Sequence, residues 1–134
     1  MTPPSLQVMV RPTDINISGD TFGGFIMSQA DMAASILSRQ ATGGRVVTRA
    51  VKSFEFIKPS YLGNVLSFYT EIERVGSTSI TIGVKVYALD IDTDKSKLIS
   101  VSSIVFVAVD DGGKTRRIPD LYFDKDVTVT TTGT

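Results

Sequence analysis

Residues Phe25 to Gln40 contain no proline or glycine and are rich in Ala, Met, Ile and Leu. The polar residues Ser28, Asp31, Ser35 and Ser38 recur at spacings of three and four. This puts them on one stripe of a helix, with apolar residues over most of the rest. The pattern predicts a long, mostly buried helix. Ala30, Ala33, Ala34 and Ser35 are small enough to let a sheet wrap close around it. Gly43-Gly44 ends it.

The segments around this helix read as strands. Leu6 to Arg11 is a short first strand stopped by Pro12. Arg45 to Ile57 is β-branched and aromatic and ends at Pro59, and Val65 to Val75 follows before Gly76 turns the chain. Ser79 to Leu89 alternates, with Ile80, Ile82, Val84, Val86 and Ala88 on one face and Ser79, Thr81, Lys85 and Tyr87 on the other. Asp90 to Lys95 is a polar hairpin loop, and Leu98 to Val109 is the last long strand. The order is β-α-β-β-β-β. One long central helix against long antiparallel strands is an α+β layer architecture. A single helix covers one face of the sheet, so the uncovered face or edge invites a dimer.

A chain of 134 residues accommodates one domain. It is expected to span residues 1–119. Residues 120–134 form a C-terminal extension, Thr-rich from Val127 to Thr134 and expected to be poorly ordered.

The composition removes whole chemistries. There is no His, Cys or Trp. A thiol nucleophile, a disulfide, a thiolate zinc site, a Ser-His-Asp triad and imidazole metal ligands are all excluded. No metal site is expected. A general base must be a carboxylate, a Lys or a Tyr. Fourteen basic and fourteen acidic residues leave no net charge, against a nucleic-acid partner. No apolar run approaches the ~20 residues of a spanning helix. The start, Met1-Thr2-Pro3-Pro4-Ser5, has no signal-peptide pattern. The expectation is a cytoplasmic protein with no membrane insertion.

The loop Asn16-Ile17-Ser18-Gly19-Asp20-Thr21-Phe22-Gly23-Gly24 leads into the helix. Its two final glycines allow a ligand to approach the backbone closely. The unpaired N–H groups of the helix start offer a place for developing negative charge. Asp20 and these donors can therefore share a pocket. Alternatively, Asp20 caps the helix and the glycines only make the turn.

The run from Asn16 to Asp31 resembles the pattern N-x-N-G-D-x-F-G-G-x-x-[ML]-x-x-[ML]-D of small single-domain bacterial hotdog-fold acyl-CoA thioesterases. The resemblance continues downstream. Gly44-Arg45-Val46-Val47-Thr48 is similar to the family's second-strand start, and Phe54 to Pro59 to its F-x-[FL]-[KR]-P segment. Val75-Gly76-Ser77-Thr78-Ser79 resembles its V-G-x-[ST]-S turn. Phe106 to Asp110 and Gly113 to Pro119 resemble its closing strand and basic tail.

The resemblance implies a hotdog fold and hydrolysis of acyl-CoA to free acid and CoA, without a separate cofactor. It implies dimers with sites across the interface, in some members trimers of dimers. By position, Asp20 matches the catalytic carboxylate, as base or nucleophile. Gly23 and Gly24 match the amides that polarise the carbonyl, and Asn16 the residue that orients water or substrate. The implied substrate contacts are Phe22, Thr48, Phe54, Lys58, Val75, Gly76, Ser77, Thr78 and Arg116. Basic residues must hold CoA phosphates locally in a neutral chain, and Lys114, Arg116 and Arg117 form the densest cluster. Asp31 matches the family's helix Asp and reads as structural.

Two positions depart from the pattern: Ser18 replaces the second Asn, and Lys52 stands where relatives often carry Asp or Glu. The alternative reading is a non-catalytic acyl-CoA binding or sensing module on the same fold. Hotdog dehydratases use a catalytic His, which this chain lacks.

Overall fold

The computed structural model describes residues 2–119; the extension expected at 120–134 lies outside the described residues. Strand β1 spans Leu6–Met9 and a short 3-10 turn Pro12–Asp14. Helix α1 spans Gly23–Thr42, and strands β2 to β5 span Val46–Phe56, Val65–Val75, Ser79–Asp90 and Lys95–Ala108. All pairings are antiparallel, in the order β1-β3-β4-β5-β2. The two edges are therefore β1 and β2.

The alternation in β4 works as the sequence predicts: Ile80, Ile82, Val84, Val86 and Ala88 are buried. They form one core with Leu66, Phe68 and Ile72 of β3, Ile99, Ile104 and Phe106 of β5, and the helix. The helix contributes Ile26, Ala30, Ala33, Ala34 and Ala41. Four alanines at zero exposure keep the backbone close to the sheet, so the curved strands wrap it.

The helix differs from its expected form in three ways. It starts at Gly23 rather than Phe25, because the N–H groups of Phe25 and Ile26 already bond the Phe22 carbonyl. It is not mostly buried in the single chain: Met27, Met32 and Ile36 on its outer flank are exposed. Ser38, expected on the polar stripe, is fully buried and donates its hydroxyl to the Ser35 carbonyl. The helix ends as expected, on Gly43 in the left-handed conformation at φ 74°, with its N–H on the Arg39 carbonyl.

Strand β1 is shorter than expected. Arg11 leaves the ladder, and its backbone N–H and guanidinium both bond Asp14 across the 3-10 turn. Strand β2 is almost wholly exposed, with Val47, Val51 and Phe56 all more than 40% accessible. An eleven-residue edge strand with that much apolar surface is an unpartnered half-ladder. Among the described residues, no helix is long and apolar enough to cross a membrane.

Candidate active site

The loop before α1 is held from three sides. The Phe22 N–H donates to the Asp14 carbonyl at 2.7 Å, and the Thr21 N–H to the Ser60 carbonyl at 2.8 Å. The buried hydroxyls of Ser60 and Thr21 meet at 2.6 Å. Within the loop, the Asn16 N–H donates to the Asp20 carbonyl, and Gly19 at φ 91° returns its N–H to the Asn16 carbonyl. The Asn16 side-chain oxygen accepts the Ser18 N–H at 2.8 Å. That contact uses the backbone of residue 18, so the loop forms with Ser18 in place of Asn.

The helix opens onto an uncovered end. Phe22, at the cap position, provides no side-chain oxygen. The N–H groups of Gly23 and Gly24 have no acceptor among the described residues. A Cβ on Gly23 would sit 3.3 Å from the Phe56 ring, and one on Gly24 would sit 2.7 Å from the Phe22 ring. Two aromatic rings thus rest against glycine backbone, which only the missing side chains permit. The Phe56 ring also packs against Phe54, tilted by 34° with centroids 4.9 Å apart. Asp20, Thr21, Gly23, Ile26 and Phe56 to Ser60 line an open groove of about 360 Å³ here. One Asp20 carboxylate oxygen is buried and has no hydrogen-bond partner among the described residues.

A second polar pair lies farther along the helix. The Thr48 hydroxyl of β2 donates to Oδ1 of Asp31 at 2.7 Å. Asp31 is the only charged residue between Asp20 and Arg39. It comes eight residues after Gly23, about 12 Å along the axis at 1.5 Å per residue. Sequence reasoning passed over Asp31 as a catalytic candidate. A single carboxylate in a long uncharged helical stretch was the available signal, but its Thr48 partner lies on another element.

The expected site residues fall at two ends of one chain. Asn16, Asp20, Phe22, Gly23, Gly24, Phe54 and Lys58 cluster at the helix start and the end of β2. Val75, Gly76, Ser77 and Thr78 make the β3–β4 turn at the opposite end, where the Ala108 N–H bonds the Thr78 carbonyl and the Ile118 N–H the Ser77 carbonyl. Ala108 pairs with Val46, the first residue of β2. Thr48 lies near that second end.

Arg116 is there too, but its guanidinium is engaged internally. It donates to the carbonyls of Val109, Thr42 and Arg45 and to the Thr42 hydroxyl. It does not line the groove. Among the described residues, no cluster of three or more carboxylates could hold a metal ion.

A five-stranded antiparallel sheet wrapped around one long helix, entered through a glycine pair, defines a hotdog-fold protein. Residues 18–95 match the thioesterase superfamily, and the chain belongs to that family. It is 41% identical to an uncharacterized acyl-CoA thioester hydrolase of Haemophilus influenzae, over 85% of this chain and 76% of that one. A hexameric broad-specificity acyl-coenzyme A thioesterase, solved as an aspartate-to-alanine mutant, superposes with a TM-score of 0.85 at 38% identity. That match covers 89% of this chain and 88% of the other. An acyl-CoA hydrolase of Staphylococcus aureus, solved with butyryl coenzyme A and coenzyme A, gives 0.80 at 31% identity. It covers 90% of this chain and 74% of that one. The same hydrolase is solved with single alanine substitutions of an aspartate and of a threonine.

Proposed function

We propose that the protein hydrolyses acyl-CoA thioesters, with Asp31 as the reacting carboxylate and Thr48 as the residue that holds it. The hydrogen bond between Thr48 and Asp31 carries this reading. Two further observations support it. The relatives named above are thioester hydrolases. The aspartate and threonine substituted in the Staphylococcus aureus hydrolase are seventeen residues apart in that chain. Asp31 and Thr48 have the same separation, and they touch.

The chemistry follows from the contact. Thr48 occupies Oδ1 of Asp31 and fixes the carboxylate plane, leaving Oδ2 for a water. Asp31 takes a proton from that water as its oxygen attacks the thioester carbonyl. The helix-start N–H groups receive the charge that develops on the carbonyl oxygen. Collapse breaks the C–S bond, and the proton on Asp31 passes to the departing thiolate. The products are a free acid and CoA, and no separate cofactor takes part.

The 12 Å between Asp31 and its own helix start, estimated from the helix rise, is too long for both to reach one carbonyl. A two-fold pairing of β2 edges removes the difficulty. Antiparallel pairing centred near Val51 lays the end of one β2 against the start of the other. The Gly23 N–H of the partner subunit, carried beside Phe56 of the partner subunit, then faces Asp31 and Thr48. Each dimer holds two such shared sites. The exposed apolar flank of α1 offers further contact area, and the hexameric relatives fit a trimer of these dimers.

A second reading keeps Asp20 as the reacting carboxylate. Its buried, unpartnered oxygen in the groove beside Gly23 favours it. An acyl-CoA panel with thiol trapping, run on Asp31→Asn, Asp20→Asn and the parent protein, separates the readings. We expect Asp31→Asn to lose about 100-fold or more in kcat, the scale of a missing general base. Asp20→Asn should retain more activity. The reverse ranking transfers the role to Asp20. No CoA release by the folded parent protein on any chain length would leave a binding module.

A further inference from the structure

Arg116 is the most fully engaged cation among the described residues, and none of its contacts is an acid. Its Nε donates to the Val109 carbonyl at 2.9 Å and Nη1 to the Thr42 carbonyl at 3.2 Å. Nη2 reaches the Arg45 carbonyl at 3.2 Å and the Thr42 hydroxyl at 3.4 Å. Thr42 is the last residue of α1 and Arg45 immediately precedes β2. One planar fork therefore spans the corner between the helix and the strand. It satisfies a helix-end carbonyl that has no intrahelical donor, and it places positive charge where the helix dipole favours it. Gly44 in the corner has room for nothing else: a Cβ there would sit 2.8 Å from Nη2 and 3.3 Å from Cζ of Arg116.

The two arms of this corner carry Asp31 and Thr48. We infer that Arg116 is a positioning residue that sets the Asp31–Thr48 distance, rather than a contact for the phosphates of CoA. The inference rests on the Asp31 reading given above. Thr48 is three residues past Arg45, about 10 Å along an extended strand. A swing of about 6° at the corner would shift Thr48 by about 1 Å, a displacement that can cost about 100-fold in rate. A lysine cannot replace the fork, because its single ammonium cannot serve three carbonyls in different directions.

The test is steady-state kinetics on a short-chain acyl-CoA for Arg116→Lys, Arg116→Ala, Gly44→Ala and the double variant Gly44→Ala/Arg116→Lys. Asp31→Asn is measured alongside, and circular dichroism and native mass check each fold. We expect kcat to fall about 10- to 100-fold in both Arg116 variants, with KM within about twofold. Gly44→Ala should lower kcat by displacing the guanidinium. Adding it to Arg116→Lys should cost little more, since the clash is with the fork itself.

A KM raised tenfold or more with kcat preserved would make Arg116 a phosphate contact and overturn the inference. So would wild-type kinetics in both Arg116 variants, or loss of fold in all the corner variants, which would leave Arg116 a folding role alone. If Asp31→Asn is fully active, the Asp31 reading fails instead. An inactive Asp31→Asn beside normal Arg116 variants sinks only the positioning role.

Discussion

Asp14 links the first strand to the helix start. Its side chain is buried, and the Arg11 guanidinium grips it at 3.0 Å. That hydrogen bond holds the Asp14 carboxyl below the ordinary carboxylate range, against the opposing pull of burial. A lowered folded-state pKa contributes stability above the unfolded value of about 3.9 and loses it as pH falls through the folded value. Urea midpoints measured from pH 6 down to pH 2 should therefore show a steeper acid decline for the parent protein than for Asp14→Asn. Parallel curves would show that the Arg11–Asp14 contact adds nothing. At this same scale the loop residues were legible. Asn16 and Gly19 are turn formers whose chemistry is local, and they sit where their types imply. The role proposed for Asp31 was not legible, because its partner Thr48 is seventeen residues away on another element. The carbonyl contacts of Arg116 were hidden for a related reason. A basic residue in a basic cluster reads as free charge until the carbonyls around it are visible.

Among the elements, β3 and β4 follow the sequence most closely. The Val65 to Val75 bounds are reproduced, and β4 extends one residue beyond Leu89. Both are interior strands paired on each side, and Leu66, Phe68 and Ile72 of β3, like Ile80, Ile82, Val84, Val86 and Ala88 of β4, are buried. Strand β2 was read correctly as a strand, but its exposure was not foreseen. Edge position depends on the order β1-β3-β4-β5-β2, which no single segment encodes. The helix start was read two residues late, since glycine argues against helix, whereas the Phe22 carbonyl accepts the N–H groups of Phe25 and Ile26 and opens the first turn. The exposed edge makes a prediction of its own. Val51 lies near the two-fold centre proposed for β2 pairing, so Val51→Asp sets two like charges against each other in every dimer. Native mass spectrometry should show a shift to monomers, with acyl-CoA turnover lost and circular dichroism preserved. A Val51→Asp protein that keeps its assembly and its activity would place the interface elsewhere.

At the scale of the whole molecule, the proposed site belongs to an assembly rather than to one chain. In the dimer proposed above, two protomers divide the work: one supplies Asp31 and Thr48, the other a helix start with unpaired N–H groups. Neither protomer alone brings these groups within reach of one carbonyl. A mixture of two impaired proteins tests this division. Asp31→Asn removes the carboxylate. Gly24→Ala adds a Cβ at 2.7 Å from the Phe22 ring and so disturbs the helix start, while alanine is a better helix former than glycine and keeps the fold. In a mixed dimer, one site collects both lesions and the other collects neither. Random assembly makes about half the dimers mixed, so about a quarter of all sites should be intact. The measurement is acyl-CoA turnover by a co-assembled equimolar mixture of the two variants, compared with each variant alone. A shared site gives recovery to about one quarter of wild-type turnover. Turnover no higher than the average of the two separate variants would contradict it and return the whole site to a single chain.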